Sequence, residues 1–453
     1  MKLQQDLTQG KVFPRVATFA LPLILSSLLQ NLYNTADMYF VGRYVGTNGL
    51  AAVSICGPIM MVLTLTLNGL SSGISVVLAN YKGGDSSENV RRTGNTAIAL
   101  YAVLALAATL LGQLFAPQIL RLVRTPEESF PDAIRYLRVV FLGVTFSFGY
   151  NLISALQRGF GDSKSPLLFI FTASSVNVVL DYLFVGPLGW GAWGAALATV
   201  VAQGLSFLMG IVHFKRQRHV ITFRLHEIRF YGEQLRHILR IGLPTVVNEI
   251  FVTLAMLTVS ATANSFGAAA SAAYGVGRRI DSFACITDGA MNGAMSAFVS
   301  QNVGAGRVDR ARKGLLCAMA FSGGICLCIM PFVYAFAPSV VSIFTDDPTV
   351  IENTVSYMRL SVFSYLFFAL VGPLIGFMRG SGNQMITVAV GLVAQYAFRV
   401  PTALLTTRAI GFPGIALAVL AGPLSSVTMY VIAFASGLWK HGVERMPVQS
   451  GKA

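Results

Sequence analysis

Long apolar runs separated by short polar connections dominate the chain. Each run reaches the roughly 20 residues that an α-helix needs to cross a hydrocarbon core about 30 Å thick. The pattern predicts an all-α polytopic membrane protein with twelve transmembrane helices. The predicted spans are 16–41, 50–80, 94–117, 136–158, 166–186, 192–214, 241–266, 272–302, 314–337, 357–378, 384–407 and 412–438.

Four local matches indicate that the second half repeats the first at an offset of about 220 residues. They pair Leu21-Pro22 with Leu243-Pro244, Asn80 to Gly84 with Asn302 to Gly306, Arg158 to Asp162 with Arg379 to Asn383, and Gly191 to Ala198 with Gly411 to Ala418. Because each half has an even number of spans, both halves insert in the same orientation. We therefore expect two six-helix bundles, 1–214 and 241–453, joined by a cytoplasmic linker at 215–240. A pseudo-two-fold axis along the membrane normal would relate them, with a cleft between them that opens to either side.

Composition supports a membrane protein, since 54% of the residues are hydrophobic and 11% are charged. The net charge of +14 follows topology, because basic residues collect in the connections on one face. This bias explains the charge without a nucleic-acid partner. Residues 1–15 lack the pattern of a removable signal peptide. We expect a multi-pass protein of a prokaryotic cytoplasmic membrane with both termini in the cytoplasm. Acidic residues fall on the opposite face: Glu127, Glu128, Asp132, Asp346, Asp347 and Glu352.

Cysteines and histidines indicate neither a metal centre nor a catalytic group. The cysteines all lie in apolar segments without metal-ligand spacing, and the histidines lie at or beyond the ends of the spans. We therefore expect no enzyme activity and no cofactor. The residues are Cys56, Cys285, Cys317, Cys326 and Cys328, and His213, His219, His226, His237 and His441.

Polar side chains inside predicted spans are the strongest functional signal. Asn177 and Asp181 are four residues apart and share one helix face, Thr199 lies in the next span, and Asp37 lies near the end of the first. An aspartate at the centre of a membrane helix costs about 2.5 to 3.5 kcal/mol on insertion scales, so it is rarely kept for packing alone. Structural alternatives are an Asp37–Arg43 pair, an interhelical bond from Asn177, and a Thr199 hydroxyl returned to its own helix.

The chemistry of these four oxygen donors suits either sodium or protons. Sodium is a hard cation that prefers carboxylate, amide and hydroxyl oxygens, by analogy with other hard cations. Two neighbouring carboxylates also titrate as a coupled pair, so one of them can carry a proton. The neutral oxygens of Asn177 and Thr199 favour sodium, because a proton relay has no need of them.

The second half has its own acidic candidates. Glu249 lies about 12 Å into the seventh span, and Asp281 and Asp288 are one heptad apart in the eighth. Arg399 in the eleventh span could neutralise one of the aspartates, or Asp288 could meet a positively charged substrate. The counterpart of the Asn177–Asp181 segment, around Tyr396 to Leu404, contains Arg399 and no acidic residue.

A drug-binding cleft would need a few polar fixtures in an apolar surrounding. Seven residues of the first half are candidates, although each is also suited to an interhelical hydrogen bond. They are Tyr33, Asn34, Asn68, Tyr150, Asn151, Gln157 and Gln203. Pro22 can kink the first helix and so move Asp37 relative to Asp181.

The repeated motifs resemble those of the multidrug and toxic compound extrusion (MATE) transporters across nearly the whole chain. The resemblance rests on three repeated motifs: the Leu-Pro pair of spans one and seven, the Asn and Gly turns after spans two and eight, and the Arg-Gly-x-Gly-Asp/Asn turns after spans four and ten. The segment Gln301 to Gly306 is a strong local match. The resemblance implies export of amphipathic, often cationic compounds, driven by sodium or protons. It also implies a cation site at Asp37, Asn177, Asp181 and Thr199. Some relatives pair an acidic residue of helix seven with an Asp of helix ten, but Tyr357 to Met378 contains no carboxylate.

We therefore expect a cation-coupled antiporter that works by alternating access, with small organic substrates and membrane lipid as its partners. The alternative is a lipid-linked precursor flippase of the same wider superfamily, which usually needs a cationic cavity; intramembrane Arg and Lys are nearly confined to Arg399. An intramembrane enzyme and a passive channel are further alternatives. The coupling ion, the substrate and the oligomeric state stay open.

Overall fold

The computed structural model describes residues 4–217, 220–221 and 227–447, without the side chains of Met38 and residues 46–51. In these ranges the chain forms helices and short turns, which confirms the all-α prediction. The helices are α1 Val12–Tyr44, α2 Gly46–Gly83, α3 Ser87–Leu122, α4 Phe130–Gly159, α5 Lys164–Val185, α6 Gly191–Arg216, α7 Gly232–Asn264, α8 Ala268–Ala284, α9 Ile286–Gly304, α10 Val308–Ala335, α11 Ala337–Val341, α12 Pro348–Gly380, α13 Gln384–Val393, α14 Val400–Ile410, α15 Gly414–Ala435 and α16 Lys440–Val443, with a π-helical turn at Ala394–Arg399.

Eleven helical stretches within the described ranges are long and apolar enough to cross a membrane. The predicted eighth span, 272–302, is the one that differs. It is divided at Cys285, whose φ of −93° and ψ of 11° interrupt the helix between α8 and α9. The polar run from Arg278 to Ser282 lies just before this break and lowers the hydropathy of α8. The predicted eleventh span is continuous as α13, the π-helical turn and α14.

The repeated glycine turns have the same backbone geometry in both halves. Gly161 and Gly382 have φ values of 81° and 84°, and Gly191 and Gly411 have φ values of 66° and 72°. These values lie in the left-handed region that glycine adopts without the steric cost of a Cβ atom. The sequence matches therefore specify how equivalent helices end and begin.

Close packing of α12 against α9 depends on three glycines spaced one turn apart. A Cβ atom at Gly372, Gly376 or Gly380 would come within 2.2, 2.6 or 2.7 Å of a backbone oxygen of α9. Small residues at this spacing let two membrane helices approach closely. The contact fixes the position of Asp288, whose own carbonyl oxygen faces Gly372.

The chain forms two compact units, one comprising Met1–Gln5 with Leu25–Gly242 and the other Asp6–Ile24 with Leu243–Ala453. This division differs from the predicted boundaries at 214 and 241. In the second unit, the guanidinium of Arg310 donates to the carbonyl oxygens of Leu7 at 3.2 Å, Gln9 at 2.8 Å and Gly10 at 2.5 Å. In the first unit, the part of the linker that is described packs on α3, where the Tyr231 N–H donates to the Thr96 hydroxyl at 3.2 Å.

We expect Arg310→Ala to loosen the segment from Leu7 to Gly10, because three backbone acceptors lose a charged donor. A hydrogen bond to a charged group contributes about 1.5 to 3 kcal/mol, so amide exchange in this segment should accelerate at least tenfold, measured by hydrogen–deuterium exchange. Arg312→Ala is the matched control, since Arg312 is exposed and pairs with exposed Asp309 at 3.8 Å. Equal exchange in the two variants would contradict this anchoring role.

Candidate functional site

Three helices of the first unit bring together the four side chains predicted to bind a cation. Asn177 and Asp181 on α5 are both 0% exposed. The Asn177 amide satisfies both of its ends when its nitrogen donates to Asp181 Oδ2 at 3.0 Å and its oxygen accepts from the Thr199 backbone N–H on α6 at 3.2 Å. Asp37 on α1 is close enough for its charge to act directly on Asp181. We call Asp37, Asn177, Asp181 and Thr199 the carboxylate site.

The carboxylate site is rich in acceptors and poor in donors. Within the described residues, neither Asp37 Oδ1 nor Asp181 Oδ1 has a hydrogen-bond partner, although both atoms are buried. The ion pairs of the described part of the chain include neither carboxylate, so the alternative Asp37–Arg43 pair is not formed. Buried carboxylates without a basic partner are costly unless a proton or a cation neutralises them. The arrangement is therefore chemically suited to take up either.

An apolar layer covers one end of the carboxylate site. Val41, Val185 and Ala195 are 1%, 2% and 2% exposed and form one buried cluster. Each lies one helical turn from a site residue on its own helix: Val41 after Asp37, Val185 after Asp181, and Ala195 before Thr199. We call these three residues the apolar seal. It separates the carboxylates from the α5–α6 connection.

Two tyrosines border the carboxylate site. Tyr33, predicted to line a substrate cleft, lies within hydrogen-bonding reach of Thr199 and close to both carboxylates. Tyr33 lies one helical turn before Asp37, and this spacing already predicts that the two side chains share a face of α1. Tyr136 on α4, which the sequence patterns did not predict as a site residue, interacts electrostatically with Asp37 and Asp181. It stood at the edge of a predicted span, where a tyrosine is expected at the membrane interface.

The other predicted cleft residues fall into different surroundings within the first unit. Asn34 and Asn68 are exposed, Tyr150 is half-buried, and Gln157 is 0% exposed, with neither amide atom partnered among the described residues. Asn151 donates to the Ser147 carbonyl oxygen at 2.9 Å. Gln203, one turn beyond Thr199 on α6, accepts from the Ser147 hydroxyl. A polar stripe therefore continues from the carboxylate site along α6 to α4.

The acidic residues of the second unit have two different sets of neighbours. Asp281 on α8 accepts hydroxyl hydrogen bonds from Tyr357 at 2.6 Å, Tyr365 at 2.7 Å and Ser361 at 3.5 Å, all on α12. Asp288 lies beyond the helix break on α9, where it interacts electrostatically with Glu249. Asp281 and Asp288, one heptad apart in the sequence, thus lie on either side of the break at Cys285, and each has its own neighbours. Among the described ion pairs none includes Arg399, although its charge interacts with that of Asp281.

Comparison with known proteins identifies the family. The family model MatE matches residues 22–183 and again residues 244–405, so that the second match starts and ends 222 residues after the first. The chain belongs to the MatE family. The two matches also confirm the repeat predicted from the local motifs, and Asp37, Asn177 and Asp181 all lie inside the first match.

Relatives and solved structures of MATE proteins match almost the full chain. The probable multidrug resistance protein YpnP of Bacillus subtilis (strain 168) is 28% identical, over 96% of this chain and 97% of its own. The FAD transporter of Shewanella oneidensis is 24% identical, over 96% of each chain. A structure titled "Outward-facing conformation of a multidrug resistance MATE family transporter of the MOP superfamily" has a TM-score of 0.91 at 22% identity, covering 98% of this chain and 99% of that one. The fold is therefore that of a twelve-helix, two-lobe MATE transporter.

We expect Val185→Ser to open the apolar seal to water, because a buried valine contributes about 1.5 kcal/mol or more to apolar contact. In a cysteine-free background, a cysteine at Thr199 should then react about tenfold faster with a water-soluble thiol reagent. Val179→Ser is the control, since Val179 lies on the same helix and is 57% exposed. The seal has no such role if both variants leave the reaction rate unchanged.

Proposed function

We propose that this MATE protein is a cation-coupled antiporter that exports amphipathic, often cationic organic compounds by alternating access. The carboxylate site carries the proposal. It places the buried carboxylate of Asp181, the half-buried carboxylate of Asp37, an amide and a hydroxyl on three helices, with no basic side chain paired to either carboxylate in the described residues. A group of acceptors without a counter-charge is what a reversible cation site requires.

The coupling follows from differential affinity. A cation bound by both Asp37 and Asp181 stabilises the conformation in which α1 and α5 hold these carboxylates together. It does not stabilise a conformation in which the two carboxylates are apart. Sodium uses the oxygens of Asn177 and Thr199 in addition, whereas a proton needs one carboxylate only. The ion is transported and is not a permanently bound cofactor. The protein moves its substrate without reacting with it.

The substrate and the location are inferred from relatives and from charge. Relatives described as multidrug resistance proteins support small amphipathic organic substrates. The basic residues in the connections on one face support a prokaryotic cytoplasmic membrane with both termini inside, where lipid surrounds the exposed apolar helix faces. The flippase alternative would require transport of a lipid-linked precursor in liposomes, which we do not expect.

We expect Asp181→Asn to abolish ion-driven efflux, because losing one buried charge of a binding pair costs several kcal/mol, or about 100-fold in ion affinity. Efflux of ethidium from proteoliposomes, with sodium and proton gradients imposed separately, measures this. Glu128→Gln is the control, since Glu128 is exposed outside the spans. Gradient-driven efflux at the wild-type rate in Asp181→Asn would rule out the assignment.

The pair Asn177→Ala and Thr199→Val distinguishes the two ions. Each removes neutral oxygen or amide contacts worth about 1.5 kcal/mol or more next to a charge. Under sodium coupling, the sodium concentration for half-maximal efflux should rise about tenfold in each variant. Under proton coupling, the proton gradient for half-maximal efflux should change little in either variant. A rise in the half-maximal sodium concentration, with no change in the half-maximal proton gradient, would identify sodium as the coupling ion.

A further inference from the structure

Arg399 is a cation buried in the second unit at the end of the π-helical turn. Its side chain is 0% exposed, and its stem packs so closely on α15 that a Cβ atom at Gly422 would lie 3.2 Å from Arg399 Cδ. Nη1 donates to Gln395 Oε1 at 3.4 Å. Within the described residues, neither Nε nor Nη2 has an acceptor. Since a guanidinium can only donate hydrogen bonds, at least two N–H donors of Arg399 have no acceptor among these residues.

Tyr274 adds a hydroxyl to this group. It is 4% exposed, belongs to the same buried core as Tyr357, and its ring meets that of Tyr357 edge-on at 5.8 Å. Its hydroxyl has no hydrogen-bond partner in the part of the chain that is described, and it interacts electrostatically with Arg399. A hydroxyl can donate a hydrogen bond to an anion. The unpartnered groups of Arg399 and Tyr274 can therefore all donate to a bound anion, and they do not favour a cation.

The charges nearby leave a positive excess. Asp281 is the acidic residue close to Arg399, and its oxygens already accept from three hydroxyls of α12. Arg278 adds a second positive charge that acts on Arg399, and its guanidinium contacts Met256 Sδ at 3.6 Å. An uncompensated buried charge is costly, so an anion bound here would stabilise the unit.

The repeat places Arg399 at the counterpart of the carboxylate site. At the 222-residue offset of the first helices, Asp37 corresponds to Val259. The turns that flank the Asn177–Asp181 segment pair Gly161 with Gly382 and Gly191 with Gly411, so this segment corresponds to residues 397–402, which include Arg399. Val259 and Ala403, the residue that follows this segment, lie in one buried core, so the corresponding segments also meet in the second unit. Where the first unit presents acceptors, the second presents donors.

We propose that Arg399 and Tyr274 form a binding site for a small singly charged anion, a halide or a carboxylate. The anion is either a free ion or the anionic group of a transported compound. The site does not depend on cation coupling by the first unit, because no residue of the carboxylate site belongs to it.

The test measures the melting temperature of purified protein in nanodiscs as chloride or formate replaces isethionate, at constant sodium and ionic strength. We expect both anions to raise the wild-type melting temperature with increasing concentration. Arg399→Gln should lose this rise, and Tyr274→Phe should need about tenfold more anion. Arg408→Gln, an exposed arginine of α14, and Asp181→Asn should both retain it. In isethionate, Arg399→Gln should be at least as stable as the wild type, because the unpaired charge is gone.

Transport identifies the source of the anion. If the substrate supplies it, Arg399→Gln should lose carboxyfluorescein transport in proteoliposomes and keep ethidium transport. If it is a free ion, the melting shift should occur and both dyes should respond alike. Should Arg399→Gln fail to fold, Tyr274→Phe and Arg399→Lys provide the same comparison. The proposal is overturned if these variants alter neither the anion-dependent melting shift nor the choice between the two dyes.

Discussion

The constraint on which this structure depends is that a polar group removed from water into a hydrocarbon slab must find a partner. Backbone groups find theirs within helices, which is why the described chain is helical apart from its turns. Side chains follow the same rule where they can. Asp281 has three hydroxyl donors, while Asp37, Asp181 and Arg399 lack enough partners of their own. These incompletely partnered side chains are therefore the ones suited to bind a ligand.

The duplication preserved the backbone and changed the chemistry. Gly161 and Gly382 keep nearly the same left-handed φ, so the turn before the next helix has the same backbone conformation at this residue in each unit. The segment that carries Asn177 and Asp181 in α5 corresponds in the second unit to a segment that carries Arg399 and no acidic residue. A repeated scaffold thus supports two buried sites whose unsatisfied groups have opposite hydrogen-bonding character.

Sequence patterns predicted the spans, the repeat and the pairing of Asn177 with Asp181, because apolar run length and helical spacing are local properties. They did not predict the role of Tyr136, because it approaches the carboxylates through the packing of α4. They also did not predict the break at Cys285, because it lies within an otherwise apolar run. Seven-residue spacing predicts a common face only when the helix is continuous, and so Asp281 and Asp288 acquired different partners. The division into units was also beyond local patterns, since it depends on contacts of the segment before Leu25.

The position of the apolar seal links access to binding. Val41 and Asp37 lie one turn apart on α1, and Val185 and Asp181 lie one turn apart on α5. Any motion of α1 away from α5 that separates the two valines therefore also separates the two carboxylates. A cation that bridges the carboxylates opposes that motion, and its loss leaves two like charges that favour it. Ion occupancy and seal closure are then one equilibrium, because the same two helices carry both.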